Sequence, residues 1–399
     1  MKLRRKTVIC REGWYYLLVL AFIITGSILR EVNLLLVMAG MMFFPFVFNW
    51  RAVVVGLRTV NFTRRLPRQV VAGDLLVVDL VVEKQPSRFS LRRPSSWGLV
   101  ASDCIRRESN DRRRDKPLRP RLIFWRVPVG QRRRDSYRVR LNRRGRYEFG
   151  PLTVSTRFPL GLVRRTMVVD DQDTIVVLPR LGRLTKQWTN VFREAHIGTR
   201  SHQKKVGVLE GDFHSLRDWR PDDGQRWIHW RTTARRGSPV VRQFERQQNQ
   251  NLLLLVDLWR PKKANAADEE AVELAASFAA TVITDVCRRG SSYLHLGIAG
   301  SEIVSREGPA SVGLLSEQLE MLAAAQADST DRLPELLSRT LNTLRPEMSV
   351  VIISPRQLDT SDTEQFAELW ADPGRRTSIG HIVTINSGSE EIDQFFQLD

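Results

Sequence analysis

The residues most able to do chemistry lie between 210 and 245, where carboxylates, arginines, histidines and tryptophans crowd around one turn. Asp212, His214 and His229 could meet in space and activate a water, which is the hydrolase reading of the segment. Ser215, His229 and Asp218 could be drawn as nucleophile, base and orienting acid, but no G-x-S-x-G elbow surrounds the serine. The histidines show no H-E-x-x-H or comparable zinc spacing, and Cys10, Cys104 and Cys287 are too widely spaced to outline a disulfide framework or a zinc site. Neither G-x-x-x-x-G-K-[ST] nor G-x-G-x-x-G occurs, so a nucleotide would have to be held by another protein. On this reading the chain has no catalytic residue, no bound cofactor and no metal site.

The same segment supports two non-catalytic readings. Phe213, Trp219, Trp227 and Trp230 alternate with arginines and carboxylates around a Pro221, Asp222, Asp223, Gly224 turn. Trp227 and Trp230 stand at i and i+3 and would share one face if residues 225–235 form a helix. In one reading the indoles pack inward and arginine–carboxylate forks lock a joint between domains. Burial of Trp230 is then expected, with a cost of about 3–5 kcal/mol for its truncation to alanine. In the other, part of the segment is a docking surface, since Trp and Arg are favoured where partners bind.

Before this segment stand two apolar runs, residues 14–29 and 34–48, separated by Arg30, Glu31, Val32 and Asn33. A connector that short makes them a helical hairpin, and Trp14, Tyr15, Tyr16 and Trp50 suit the membrane interface at its ends. Residues 52–57 could lengthen the second run if Arg51 snorkels. Lys2, Arg4, Arg5, Lys6 and Arg11 precede the hairpin, and Arg51, Arg58, Arg64 and Arg65 follow it. The positive-inside rule then puts both termini and the soluble domains in the cytosol.

Residues 59–180 change to a period of two. Residues 75–82, 121–127, 137–141 and 152–155 have strand composition, with turns at 70–74, Gly130, Gly145 and Gly150, so an antiparallel β-sandwich-like domain is expected. Within it, residues 88–146 carry a net charge of +15, whereas residues 249–399 carry −11, which separates their surfaces. The arginine-rich segment reads first as a solvated or anionic-lipid-facing surface, next as a contact for an acidic protein, and last as a nucleic-acid contact. Residues 181–248 form the connector. From 249 to 399 strand and helix alternate: strands at 252–257, 293–299, 350–353 and 379–385, and helices at 269–288, 312–325, 333–344 and 363–370. That order means an α/β, Rossmann-like sheet.

Asp212, Phe213, Leu216, Arg217, Trp219, Arg226, Ile228, Trp230, Ala234 and Arg235 resemble the core signature of a bacterial family of unknown function, domain family 58, with Asp212 and Trp219 in place of its Glu and Tyr, while the family's Gly-Asp turn is here Asp222, Asp223 and Gly224, an acidic turn in changed order. Residues 145–152 and 158–162 resemble its upstream pattern, and Phe244 with Glu245 its downstream one. The resemblance spans the chain and implies a membrane-anchored multidomain protein: transmembrane hairpin (1–58), β-domain (59–180), signature connector (181–248) and von Willebrand A-like domain (249–399). It further implies a partner among MoxR-type AAA+ ATPases, possible contact with other von Willebrand A proteins, and an adaptor or assembly role at the bacterial inner membrane. Where a metal-binding von Willebrand A domain carries D-x-S-x-S, this chain has Asp257, Trp259 and Pro261, which leaves one ligand of three and a degenerate site.

Overall fold

The computed structural model describes residues 3–30, 33–67, 69–86, 95–109, 116–190, 213–220, 223–244, 251–290, 292–341, 348–359 and 382–398. These fall into two compact units, residues 1–180 and 181–399.

In the first unit, helices α1 (Arg11–Arg30) and α2 (Asn33–Gly56) pack on each other and turn most of their apolar side chains outward. At about 1.5 Å per residue each is long enough to cross a hydrocarbon layer, and both are apolar enough to do so. The Tyr16 hydroxyl donates to Met42 O at 2.6 Å, within a turn of Pro45, which interrupts the α2 hydrogen-bond ladder.

The sheets that follow are strands β1 (Leu3–Ile9), β11 (Val163–Val169), β10 (Leu152–Thr156), β5 (Ser96–Ser102) and β7 (Arg121–Val127), in that order; β3 (Val70–Val71), β12 (Asp173–Leu178), β9 (Gly145–Phe149) and β6 (Ile105–Arg107); and β2 (Val60–Arg65), β4 (Leu75–Lys84) and β8 (Arg132–Arg140). All pairings are antiparallel except β3 with β12. Alternation delivers one apolar core: Phe62, Val78, Leu99, Phe149, Val154 and Met167 from all three sheets are buried together. Gly73, Gly130, Gly145 and Gly150 have positive φ at the expected turns.

Strand β1 is a departure from the sequence reading, which saw only a basic flank before the hairpin. Its seven residues pair in register with β11, so Arg4, Arg5 and Lys6 are edge-strand residues of the β-rich body. Because β1 enters α1 and α2 leaves into β2, both outer ends of the hairpin are fixed to one body. The foot of the hairpin is seated on the start of β11. Cys10 N donates to Leu162 O at 2.9 Å, and Val163 N donates to Asn49 Oδ1 at 3.0 Å. A Cβ on Gly13 would lie 2.2 Å from Leu162 O, so this approach requires glycine. The expected extension of α2 over 52–57 is helical through Gly56, but Val53 and Leu57 are fully buried, Leu57 in the β-rich core. That last stretch therefore packs on protein.

Arg64, read from sequence as a flanking surface cation, is instead buried. Its Nε and Nη2 donate to Asp103 at 2.9 and 2.8 Å, and Nη1 donates to Asp173 at 2.8 Å. Tyr137 closes the network by donating to Asp103 Oδ2 at 2.7 Å. In the arginine-rich segment, Arg132 and Arg134 lie on β8 and pair with Glu83 and Asp79 of the neighbouring β4. Arg112, Arg113 and Arg114 lie outside the described residues.

The second unit is built on a sheet ordered β18 (Ile303–Pro309), β17 (Tyr293–Ala299), β16 (Asn251–Asp257), β19 (Met348–Ser354), β20 (Val383–Asn386), parallel except for the β18 edge. Six or seven consecutive buried residues in β16, β17 and β19 mark strands covered on both faces. After the short helix α3 (Trp230–Arg236), the helices are α4 (Ala266–Arg289), α5 (Val312–Ala324) and α6 (Leu333–Leu341). Asn265 and Asp268 form a capping box at the start of α4. The edge strand β18 was not anticipated. The helix expected at 363–370 and the first residues of the strand expected at 379–385 lie outside the described residues. Strand β13 (Gly182–Leu184) pairs with the C-terminal β21 (Phe396–Leu398), next to the short helix α7 (Ile392–Phe395). Trp188 packs on Phe278, with ring centroids 5.3 Å apart, so the start of the connector is bound to this unit.

Candidate functional site

The signature forms a small antiparallel hairpin: β14 (Phe213–Asp218) against β15 (Val240–Phe244), with an irregularity between Phe213 and Ser215. Between the strands run a 3-10 turn (Gln225–Trp227) and the two-turn helix α3 (Trp230–Arg236). Val240 and Val241 are buried, and Leu216 and Ile228 are half-buried beside them.

The turn is locked by a fork. Arg217 Nη1 and Nη2 donate to the two Asp223 oxygens at 2.7 and 2.5 Å, and Arg220 N donates to Asp223 at 2.9 Å. The Arg217 guanidinium holds the Asp223 carboxyl below the usual carboxylate range. Trp219 Nε1 donates to Asp223 O at 3.2 Å, so the indole is oriented while the residue stays 36% exposed.

His229 is the N-cap of α3. Its Nδ1 accepts from Thr232 N at 3.3 Å and lies 2.8 Å from Thr232 Oγ1, while its backbone N donates to Val240 O. Asp212 lies outside the described residues, as do Asp222 and Glu245. His214, Ser215 and Phe244 are described as strand positions, Phe244 opposite Phe213. Asp218, the third member of the triad that could be drawn, is exposed, with Arg236 3.9 Å away.

Two expectations for the aromatics do not hold. Trp227 and Trp230 share no helical face, because Ile228 is extended and bridges to Val241, which ends the 3-10 turn before α3 begins. Trp230 is 68% exposed, so it is not a buried member of a joint. Trp230 is the first residue of α3, directly after the His229 cap, and one turn on Thr233 Oγ1 accepts from Val240 N. Arg226, Arg231 and Arg235 are exposed as well. Trp230→Ala is therefore expected to change stability by no more than about 0.5 kcal/mol, measured by chemical denaturation, in place of the loss expected for a buried indole.

A second constellation surrounds Asp257 at the end of β16. Its carboxylate accepts from Trp259 N at 3.1 Å, Ser354 Oγ at 2.9 Å and Arg356 Nε at 3.2 Å. Arg356 is also in ion-pair contact with Asp331 at 2.6 Å and lies 4.9 Å over the Trp259 ring. Burial pushes the Asp257 carboxyl up, and Arg356 and Ser354 oppose it. A guanidinium thus neutralises the carboxylate that would be the remaining cation ligand. Pro261 is half-buried. The sequence reading missed Arg356, which is remote from Asp257 in the chain and carries no motif.

Residues 215–370 match the family model described as protein of unknown function DUF58. The chain is 27% identical over 342 residues to the uncharacterised protein YeaD of Bacillus subtilis, covering 84% of this chain and 80% of that one. Among solved structures, a β-glucosidase from Listeria innocua with gluconolactone overlays 30% of this chain on 16% of its own, at 9% identity and a TM-score of 0.20. A CARDB domain from Pyrococcus furiosus overlays 30% of this chain on 91% of its own, at 10% identity and a TM-score of 0.19. Scores this low carry no argument.

Proposed function

We propose that this chain, which matches the model of the family described as protein of unknown function DUF58 over residues 215–370, is a non-enzymatic, membrane-anchored adaptor or assembly factor. The observation that carries this reading is Trp230, exposed on a short helix beside exposed Arg226, Arg231 and Arg235. The Arg217–Asp223 fork holds the neighbouring turn in shape before any partner arrives. A large indole and arginines presented on a fixed hairpin are the chemistry of a docking hot spot. The use of His229 Nδ1 as a helix cap argues against its service as a general base.

The second unit is proposed to be von Willebrand A-like. Its strand order and single antiparallel edge strand support that reading, and the Arg356 guanidinium beside Asp257 supports a degenerate cation site. The proposed partner, from the family resemblance, is a MoxR-type AAA+ ATPase. The proposed location is the cytosolic face of the bacterial inner membrane. Arg4, Arg5, Lys6, Arg11, Arg51, Arg58 and Arg65 support it by standing at the outer ends of the hairpin, against Arg30 and Glu31 at the connector.

Two measurements test the proposal. A reporter fused after Asp399 is expected to behave as cytosolic, and periplasmic activity would reverse the orientation. Pull-down of a MoxR-type ATPase from membranes is expected to drop on the order of tenfold or more with Trp230→Ala or Arg226→Glu, as for hot-spot residues. Capture unchanged by both variants would sink the docking surface. A hydrolytic activity of the purified protein lost with His229→Ala would sink the non-enzymatic reading.

A further inference from the structure

The solvent face of the five-stranded sheet in the first unit is floored by small polar groups where alternation leaves β10, β11 and β5 outward. Ser155 lies beside Thr166, and Thr153 beside Ser102, across neighbouring strands. Around this floor is a groove of about 1080 Å³ with Arg106, Arg119, Arg121, Arg157 and Arg164 on its walls. Among the described residues no carboxylate pairs with any of these five arginines. The acid that lines the groove, Asp103, is already engaged by Arg64 and Tyr137. The concavity is therefore strongly cationic, with hydroxyl groups at its base, and a concave wall focuses that field.

One end of the groove is the β10–β11 connection, which carries Arg157, Phe158 and Leu160. This connection continues into Leu162 and Val163, which hold the foot of α1 and α2. Phe158 and Leu160 are 47% and 50% exposed, and Trp97 stacks on Phe158 at 5.7 Å between centroids. Large apolar and aromatic groups at the foot of a membrane hairpin sit at the level of lipid headgroups.

We propose that this groove binds the phosphate-bearing headgroup of an anionic membrane phospholipid, with Arg157 and Arg164 at the membrane end and Arg119 and Arg121 on the far wall. Guanidinium groups take phosphate oxygens in forked pairs, and the serine and threonine hydroxyls donate to those left over. This goes beyond apposition of the arginine-rich segment to a membrane. It names a defined groove, and two of its arginines, 157 and 164, lie outside that segment. It rests on α1 and α2 spanning the membrane and is independent of the adaptor reading.

The test uses the full-length protein in neutral detergent micelles, with fluorescent phosphatidylglycerol followed by anisotropy. Phosphatidylcholine, glycerol 3-phosphate and a single-stranded DNA oligonucleotide serve as the other arms. Saturable binding of phosphatidylglycerol over phosphatidylcholine is expected. Arg157→Gln with Arg164→Gln should weaken it on the order of thirtyfold, as should Arg119→Gln with Arg121→Gln. Arg138→Gln with Arg140→Gln removes the same charge from β8, outside the groove, and should leave affinity unchanged. Melting curves for each pair report whether the fold is intact, and the two groove pairs lie in separate segments of the chain, around the start of β7 and around the β10–β11 connection, so misfolding of one leaves the other as the test. Equal binding of both lipids, or equal losses in the β8 control, overturns the proposal. Glycerol 3-phosphate competing as tightly as the lipid overturns the lipid assignment, and DNA competing through the same arginines overturns it in favour of nucleic acid. Carbonate extraction of membranes separately reads whether the hairpin is integral, so failure there is distinct from failure of the groove.

Discussion

Arg64→Ala should destabilise the β-rich unit by about 3–5 kcal/mol, the usual cost of removing one partner from a buried ion pair. Against a total stability of about 5–15 kcal/mol for an ordinary domain, that is enough to unfold much of the population. The side chain is almost wholly excluded from solvent, as is that of Asp103. Each Asp103 oxygen has a donor from Arg64, and Oδ2 has a second from Tyr137; burial and the neighbouring carboxylate push the Tyr137 phenol well above its ordinary range. Without the guanidinium, Asp103 would remain in the interior with one hydroxyl partner and the backbone N–H of Cys104. Tyr137→Phe removes a single hydrogen bond and should cost about 1 kcal/mol. Arg64→Met with Asp103→Leu should recover most of the loss, because the desolvation penalty goes with the charges. Denaturant titration of the detergent-solubilised protein orders the three variants. An Arg64→Ala loss no larger than that of Tyr137→Phe would mean that the network is solvated.

Arg64 also marks where sequence reading stops. Its neighbours in the chain, Thr63 and Arg65, follow a strand alternation that buries Val60, Phe62 and Arg64 alike. Nothing local distinguishes an arginine on the inner face of β2 from one flanking a membrane helix, because its partners are Asp103 and Asp173, far along the chain. Strands β4, β7 and β10 were legible because their pattern is a property of consecutive residues. Strand β1 was not, since Arg4, Arg5 and Lys6 hide the period and its stability comes from pairing with β11. The alternation of strands and helices after residue 249 was visible for the same local reason, whereas β18 is a largely exposed edge strand with a weak apolar signal. In the candidate site, the Arg217–Asp223 fork was within reach of a reading that stressed arginine–carboxylate locking. The exposure of Trp230 was not, because the extended Ile228, bridged to a strand far along the chain, takes Trp227 and Trp230 off a common helix.

The second large effect is expected at Arg356. Its replacement by alanine leaves Asp257, 1% exposed in its side chain, with donors from Ser354 and Trp259 and no cation. A loss of about 3–5 kcal/mol at neutral pH follows from the same physics as at Arg64, and its pH dependence gives it a separate signature. Burial already raises the Asp257 carboxyl in the folded protein, and Arg356 is the largest influence opposing that rise. Removing it raises the folded value further while the unfolded value stays ordinary. Between the two values the folded state then holds the extra proton, so stability falls as pH rises through that window and the penalty is complete above it. The difference between Arg356→Ala and the wild type should therefore be greatest near neutrality and shrink as the pH is lowered toward the ordinary carboxylate range. Asp257→Asn in the Arg356→Ala background should remove most of this pH dependence, since the buried carboxylate is gone and only the more exposed Asp331 remains. Magnesium should leave the wild-type melting temperature unchanged, because the guanidinium already neutralises Asp257. A saturable rise in that temperature with magnesium, or a penalty independent of pH, would mean that Arg356 is not the counter-ion of Asp257.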